Sequence, residues 1–127
     1  MSNFSNDWKS RLDYLASLES GWLNGEGDSV PASVIETVDE FLTVVHGDSS
    51  ILYDGQRPGL FPLGSAPGIQ VEWGYNGVDW DVEFTESGAT VCAFSTDEDF
   101  EVVVPEGEFL VERLVDEIRG IQAGRSR

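Results

Sequence analysis

The chain has 127 residues, with seven Lys and Arg against 24 Asp and Glu, a formal net charge of -17 and a sequence pI near 4.1. That charge excludes DNA, RNA and anionic membranes as direct partners, because their phosphates are repelled, and it favours basic proteins and cations. With 40% hydrophobic and 11% aromatic residues the composition is globular rather than disordered, and this length suits a single domain that needs neither disulfide nor metal to fold.

Residues 6–18 read as a helix, with Trp8, Leu12, Leu15 and Leu18 at helical spacing and Ser5 or Asn6 as caps. The glycine-rich stretch that follows is a loop carrying one large ring, Trp22. A second helix is expected over residues 30–46. Asp28 or Ser29 would cap it, Pro31 sits in its first turn, and Val34, Ile35, Val38, Phe41, Leu42 and Val45 form its apolar stripe. Gly47 is a natural stop. Residues 47–68 form a long connection with three prolines and five glycines. Its two short apolar runs, Ile51-Leu52-Tyr53 and Leu60-Phe61-Pro62-Leu63, are each candidates for a short edge strand, and its length makes it a candidate contact region.

Residues 69–75 and 78–84 flank Asn76-Gly77, a strong two-residue hairpin signal. A turn there pairs Tyr75 with Val78, Trp73 with Trp80, Val71 with Val82 and Ile69 with Phe84 on one side of the ribbon. The other side pairs Glu72 with Asp81 and Gln70 with Glu83, and sets Asp79 opposite Gly74. A turn at Glu86-Ser87-Gly88 leads to a strand over 89–94, a charged turn at Asp97-Glu98-Asp99, and a strand over 100–104 ended by Pro105. A last helix spans 106–121, with Leu110, Val111, Leu114, Val115, Ile118 and Ile121 along one stripe and a frayed tail over 122–127. The expected fold is α+β: an antiparallel four-stranded meander packed on one face by two N-terminal helices and one C-terminal helix, forming a single domain over 1–121.

Cys92 is the only cysteine, so no intrachain disulfide forms. The first ten residues carry no apolar run of a secretory signal, and no stretch approaches the ~20 apolar residues that span a bilayer. Together these favour a cytoplasmic setting.

Between residues 58 and 112 the chain carries twelve carboxylates and no Lys, Arg or His. Like charges directly opposite on antiparallel strands destabilise each other, so the Glu72–Asp81 pair carries a cost, and Asp79 and Glu83 extend the patch. The candidate partner-binding residues are Glu72, Asp79, Asp81 and Glu83, with Asp97, Glu98, Asp99 and Glu101 at the rim and Tyr75 and Trp22 as aromatic contacts. An ordinary solvated sheet face and a halophilic adaptation are the plainer readings of the same charge; the second requires acids spread evenly over the surface. Paired carboxylates alone do not make a catalyst, which needs a concave pocket. The acids near Asp99 lack the spacing of a calcium loop. One Cys and the single His46 cannot build a zinc site, and His46 fits a helix C-terminus better than a reaction. No catalytic, metal or cofactor residue is expected.

The ordered segments Gly21-Trp22, Asn24-Gly25, Pro31, Phe41-Leu42 and Gly68-Ile69-Gln70-Val71-Glu72-Trp73 resemble a loosely defined group of small uncharacterised acidic bacterial and phage proteins. Those proteins carry Gly-Trp-Asp-Gly and Gly-Ile-x-Leu-Glu-Trp motifs; here Leu23 is inserted and Asn24 replaces the Asp. The resemblance implies only a small cytoplasmic partner-binding protein and supplies no activity to carry over. The expected role is non-enzymatic occupation of a basic surface, with a nucleic-acid-handling protein as the leading target, as an anti-defence inhibitor (of the DNA-mimic type), antitoxin or immunity protein acting as a monomer or homodimer. The alternatives are a scaffold that self-associates through an edge strand, and a small enzyme or cation-binding domain.

Overall fold

The structure, a computed structural model, describes residues 7–19, 21, 29–53, 56–64, 66–95 and 99–125. Three helices, α1 (Asp7–Ala16), α2 (Ala32–His46) and α3 (Leu110–Arg125), pack on one face of an antiparallel sheet. The sheet has five strands, β1 (Gly59–Pro62), β2 (Gly68–Tyr75), β3 (Val78–Thr85), β4 (Gly88–Phe94) and β5 (Asp99–Pro105), in the meander order β1-β2-β3-β4-β5. The fold is therefore α+β in two layers, with five strands where four were expected.

The added strand is the second apolar run of the connection. Leu60 pairs with Val71 and is buried, which makes β1 an edge strand; Ile51 and Leu52 are equally buried but lie in a turn. The register of β2 and β3 is the one that the Asn76-Gly77 turn requires, with Trp73 opposite Trp80 and Glu72 opposite Asp81. Both turn residues take positive φ, 53° and 76°, as a type I′ turn demands.

The apolar side of the ribbon faces the helices. Trp73 and Trp80 stack at 5.9 Å with nearly parallel planes, and Phe41 of α2 packs on Trp73 at 6.1 Å and on Phe84 at 5.3 Å. Each such ring contributes roughly 2–3 kcal/mol by leaving water. The indole N–H groups of Trp73 and Trp80 are buried with no acceptor among the described residues, which offsets part of that gain. Helix α1 contributes Trp8, Leu12 and Leu15, and α3 contributes Leu110, Val111, Leu114, Val115 and Ile118.

Element ends differ from expectation for local reasons. Helix α2 starts with Pro31 at the N-cap position in extended conformation and without a side-chain cap, so Ser29 is not the cap; Asp28, like Ser5 and Asn6 before α1, lies outside the described residues. Gly47 follows α2 with φ -92°, so glycine's access to left-handed backbone is not what stops the helix. A turn at Asp48 does: its N–H donates to the Val45 carbonyl, and its carboxylate accepts the Ser50 N–H at 3.0 Å. Helix α3 starts at Leu110 rather than residue 106, because the strand pairing runs on to Pro105 opposite Gly88 and residues 106–109 make the bend and turn that redirect the chain. It then runs to Arg125, with Gln122 buried, past residue 121 where the expected helix ended.

The first half of the long connection is tied down at several points. Arg119 of α3 reaches 71 positions back to donate from Nε to the Asp48 carboxylate at 3.1 Å. Farther on, Tyr53 stacks on Tyr75 at 4.4 Å and its hydroxyl accepts the Asn76 N–H at 2.8 Å, while Tyr75 donates to the Ser49 carbonyl. Gln56 closes the arrangement by donating to the Gly74 carbonyl.

Burial works to raise the Asp48 carboxyl, but the hydrogen bonds from Ser50 and Arg119 outweigh it and hold the group below its ordinary 3.8. A depressed carboxyl adds stability above its unfolded value, and that stability is lost as pH falls through the folded one. Replacing Arg119 with Met should therefore cost about 0.5–1 kcal/mol at neutral pH, the smaller end reflecting the half-exposed guanidinium. Thermal melts should show the gap between native and variant closing below pH 3.8.

Candidate partner-binding face

The face of the sheet away from the helices is assembled by strand alternation. Glu72, Asp81, Cys92 and Glu101 lie in one row across β2 to β5, since Glu72 pairs with Asp81, Asp81 with Cys92, and Cys92 with Glu101. A second row holds Gly74, Asp79, Phe94 and Asp99, and a third holds Phe61, Gln70, Glu83, Thr90 and Val103. Six carboxylates thus share the face: Glu72, Asp79, Asp81, Glu83, Asp99 and Glu101. The five strands contain no Lys, Arg or His at all.

The repulsion is softened by a neutral group. The Gln70 side-chain amide nitrogen donates to Asp81 Oδ2 at 2.9 Å and approaches Glu72 Oε2 at 3.2 Å, so one amide serves two carboxylates. It does not satisfy Asp81, whose Oδ1 is buried with no partner among the described residues. Burial first, then the charges of Glu83 and Glu72, push the Asp81 carboxyl above its ordinary value. The same causes act on the neighbouring thiol. Burial and the Asp81, Glu101 and Glu83 carboxylates raise Cys92, whose Sγ lies 3.9 Å from Glu101 Oε2.

The face is not flat. Gly59 and Gly74 carry no side chain, and an open depression of about 440 Å³ forms between Glu72, Asp79, Asp81 and Phe94. A Cβ added at Gly74 would meet only Asp79 Oδ1 at 3.9 Å and the Val78 carbonyl at 4.0 Å, so the missing side chain leaves open space rather than relieving a clash.

Of the sequence-derived contacts, Glu72, Asp79, Asp81, Glu83, Asp99 and Glu101 lie together on this face. Tyr75 does not: it has the parity of Trp73, faces the helix side, and is held by Tyr53. Trp22, Asp97 and Glu98 lie outside the described residues. His46 ends α2, in the helix layer, away from the acids. Among the described residues no group of three or more His, Cys, Asp or Glu could hold a metal ion, and no helix is long and apolar enough to cross a membrane.

Three apolar members of the face escaped the sequence reading. Phe61 is 42% exposed, Phe94 44% and Val103 67%. The period-two pattern, extended from the hairpin into β4 and β5, was the signal that could have found Phe94 and Val103. Charge also gathers elsewhere: Glu36, Glu40, Glu86, Glu106 and Glu108 line a cavity of about 300 Å³ between α2, the β3–β4 turn and the entry to α3.

Two measurements test this electrostatic picture. A carboxyl raised in the folded state leaves the fold unpenalised below its unfolded value and costs it stability as pH rises through the folded one. Asp81→Asn, which keeps an acceptor for Gln70, should therefore raise the melting temperature by about 2 °C at neutral pH, an advantage that fades toward pH 3.8. An advantage that grows on acidification would refute the assignment. The Cys92 thiol should react with iodoacetamide more slowly than glutathione does at mildly alkaline pH, and the combined Asp81→Asn and Glu101→Gln variant should react faster than the native chain.

Comparison with protein-family models finds none that matches the chain, and searches among curated proteins and solved structures find no match either.

Proposed function

We propose that the chain is a non-enzymatic binding protein whose acidic sheet face occupies a basic surface on a partner. The observation that carries this is the single sign of the face: six carboxylates on β2, β3 and β5, no Lys, Arg or His within any of the five strands, and a half-buried Asp81 whose own pKa is raised. Folding alone gains nothing from that arrangement, and a cationic partner relieves it. The open depression fits one basic side chain. An arginine there meets Glu72, Asp79 and Asp81 while its guanidinium plane lies against Phe94. Steering by a charge of -17 makes such association fast and dependent on salt.

The class of partner best suited is a nucleic-acid-handling protein, whose binding groove is already built for rows of anions. Carboxylates arrayed on β2, β3 and β5 offer it a substitute for phosphates. An inhibitor of a defence nuclease, an antitoxin or an immunity protein would use the face in this way, inside a cell.

The test begins with capture of partners from a bacterial lysate on the immobilised chain, followed by affinity measurement with the purified partner. The expected partner is strongly basic and is displaced by a DNA duplex. Reversing Asp79, Asp81 and Glu83 to Lys together should lower its affinity at least ten-fold, with the melting temperature unchanged or higher. An unaltered affinity in that variant, or partners of neutral or acidic charge, would overturn the proposal.

A further inference from the structure

The two edges of the sheet are built differently. Along an antiparallel pair, backbone groups face the neighbouring strand at every second residue and point away at the residues between. The Leu63 N–H donates to the Gly68 carbonyl at 3.0 Å, so positions 59 and 61 of β1 face β2 while positions 58, 60 and 62 face outward. Pro58 and Pro62 have no N–H to present there, and the Leu60 carbonyl is taken by Arg11 Nε of α1 at 3.0 Å. That edge is closed to another strand.

The β5 edge is open. The Glu106 N–H donates to the Ser87 carbonyl at 2.9 Å, so positions 100, 102 and 104 face β4 and positions 99, 101, 103 and 105 face outward. Pro105 ends the row. Asp99, Glu101 and Val103 each turn an N–H and a carbonyl away from the sheet, with no strand beside them among the described residues. Side chains here are unfinished as well. Phe100 and Val102 are only half-buried at the rim of the core, and Val103 is 67% exposed on the outer face.

We infer that β5 accepts an extended segment of the partner as a sixth strand, with basic residues at alternate positions. The inference rests on the acidic-face reading and deepens it by naming how the partner docks. A strand added beside β5 places every second side chain on the outer face, beside Asp99 and Glu101, where Lys or Arg continues the acidic rows with the opposite sign. The intervening side chains fall on the helix side, next to Phe100 and Val102, and are apolar. A second copy of the chain fits poorly. A two-fold pairing centred on Glu101 sets that carboxylate against its own copy and joins two chains of charge -17.

The probe is a short synthetic peptide of alternating lysine and valine, with a control of the same sequence N-methylated at alternate backbone positions. The native chain should bind the first peptide at least ten-fold more tightly than the second, with slowed hydrogen exchange at the amides of Asp99, Glu101 and Val103. Val103→Pro removes one outward N–H, leaves the β4–β5 ladder and the net charge intact, and should weaken the first peptide at least ten-fold without changing circular dichroism. Equal binding of the two peptides, or full affinity in Val103→Pro, overturns the strand while leaving the acidic face standing, because charge alone then suffices. Lost sensitivity to Asp79, Asp81 and Glu83 reversal in the captured partner overturns the face instead. A dimer seen by light scattering and abolished by Val103→Pro assigns the edge to a second copy and overturns the basic segment.

Discussion

The two-residue turn at Asn76-Gly77 is the constraint on which the rest depends. Strand side chains alternate with a period of two, so fixing one pair across a hairpin fixes every pair on both faces. With Tyr75 opposite Val78, the aromatic residues of β2 and β3 fall on the helix side and the carboxylates fall on the other. A slip of one residue in either strand would bring Glu72 or Asp81 under the helices, at a cost of several kcal/mol for each ion taken from water. The positive φ at both turn residues excludes that slip. The later strands inherit the choice, because β4 is joined to β3 by another tight turn, at Glu86-Ser87, and β5 follows in register.

What could be read in the sequence follows from the same logic. The hairpin was legible because a turn signal and a hydrophobic alternation agreed independently, and the apolar stripe of α2 was legible because it is long and regular. The β1 strand was legible only as one of two candidate edge runs, since four residues ending in proline give no period to favour it over Ile51-Leu52-Tyr53, and its pairing is decided by Leu60 meeting Val71 across the sheet. The start of α3 was misplaced because Glu106 has a good helix propensity but follows directly on a strand paired as far as Pro105, so the chain must first turn. Tyr75 looked like an edge contact because sequence parity places it but cannot say that Tyr53, 22 positions earlier, will fold back onto it.

The acidic face shows how little a count of charges says about their energetics. Six carboxylates share the surface, yet they are not equivalent: Asp81 is half-buried, and burial with the charges of Glu83 and Glu72 raises its carboxyl. The difference is position: Asp81 sits in an interior strand between Glu72 and Cys92, whereas Asp99 and Glu101 lie at the rim, in water. Gln70 was expected only as the partner of Glu83 across the strands. Its reach to Asp81 and Glu72 is a side-chain choice that register alone does not dictate, and it lets a repulsive pair persist without a cation.

Helix α3 covers β4 and β5, and its Arg119 anchors the Asp48 turn, but it follows every strand in chain order and so leaves the ribosome after them. Until it emerges, a nascent chain that has already made its sheet shows Val91, Ala93 and Val104 to solvent without a roof, and the Asp48 turn lacks its bond from Arg119. The making of α3 is thus the step that seals this side of the core. A chain stalled or clipped before residue 110 would be a sticky, half-covered sheet and a natural client for chaperones and proteases.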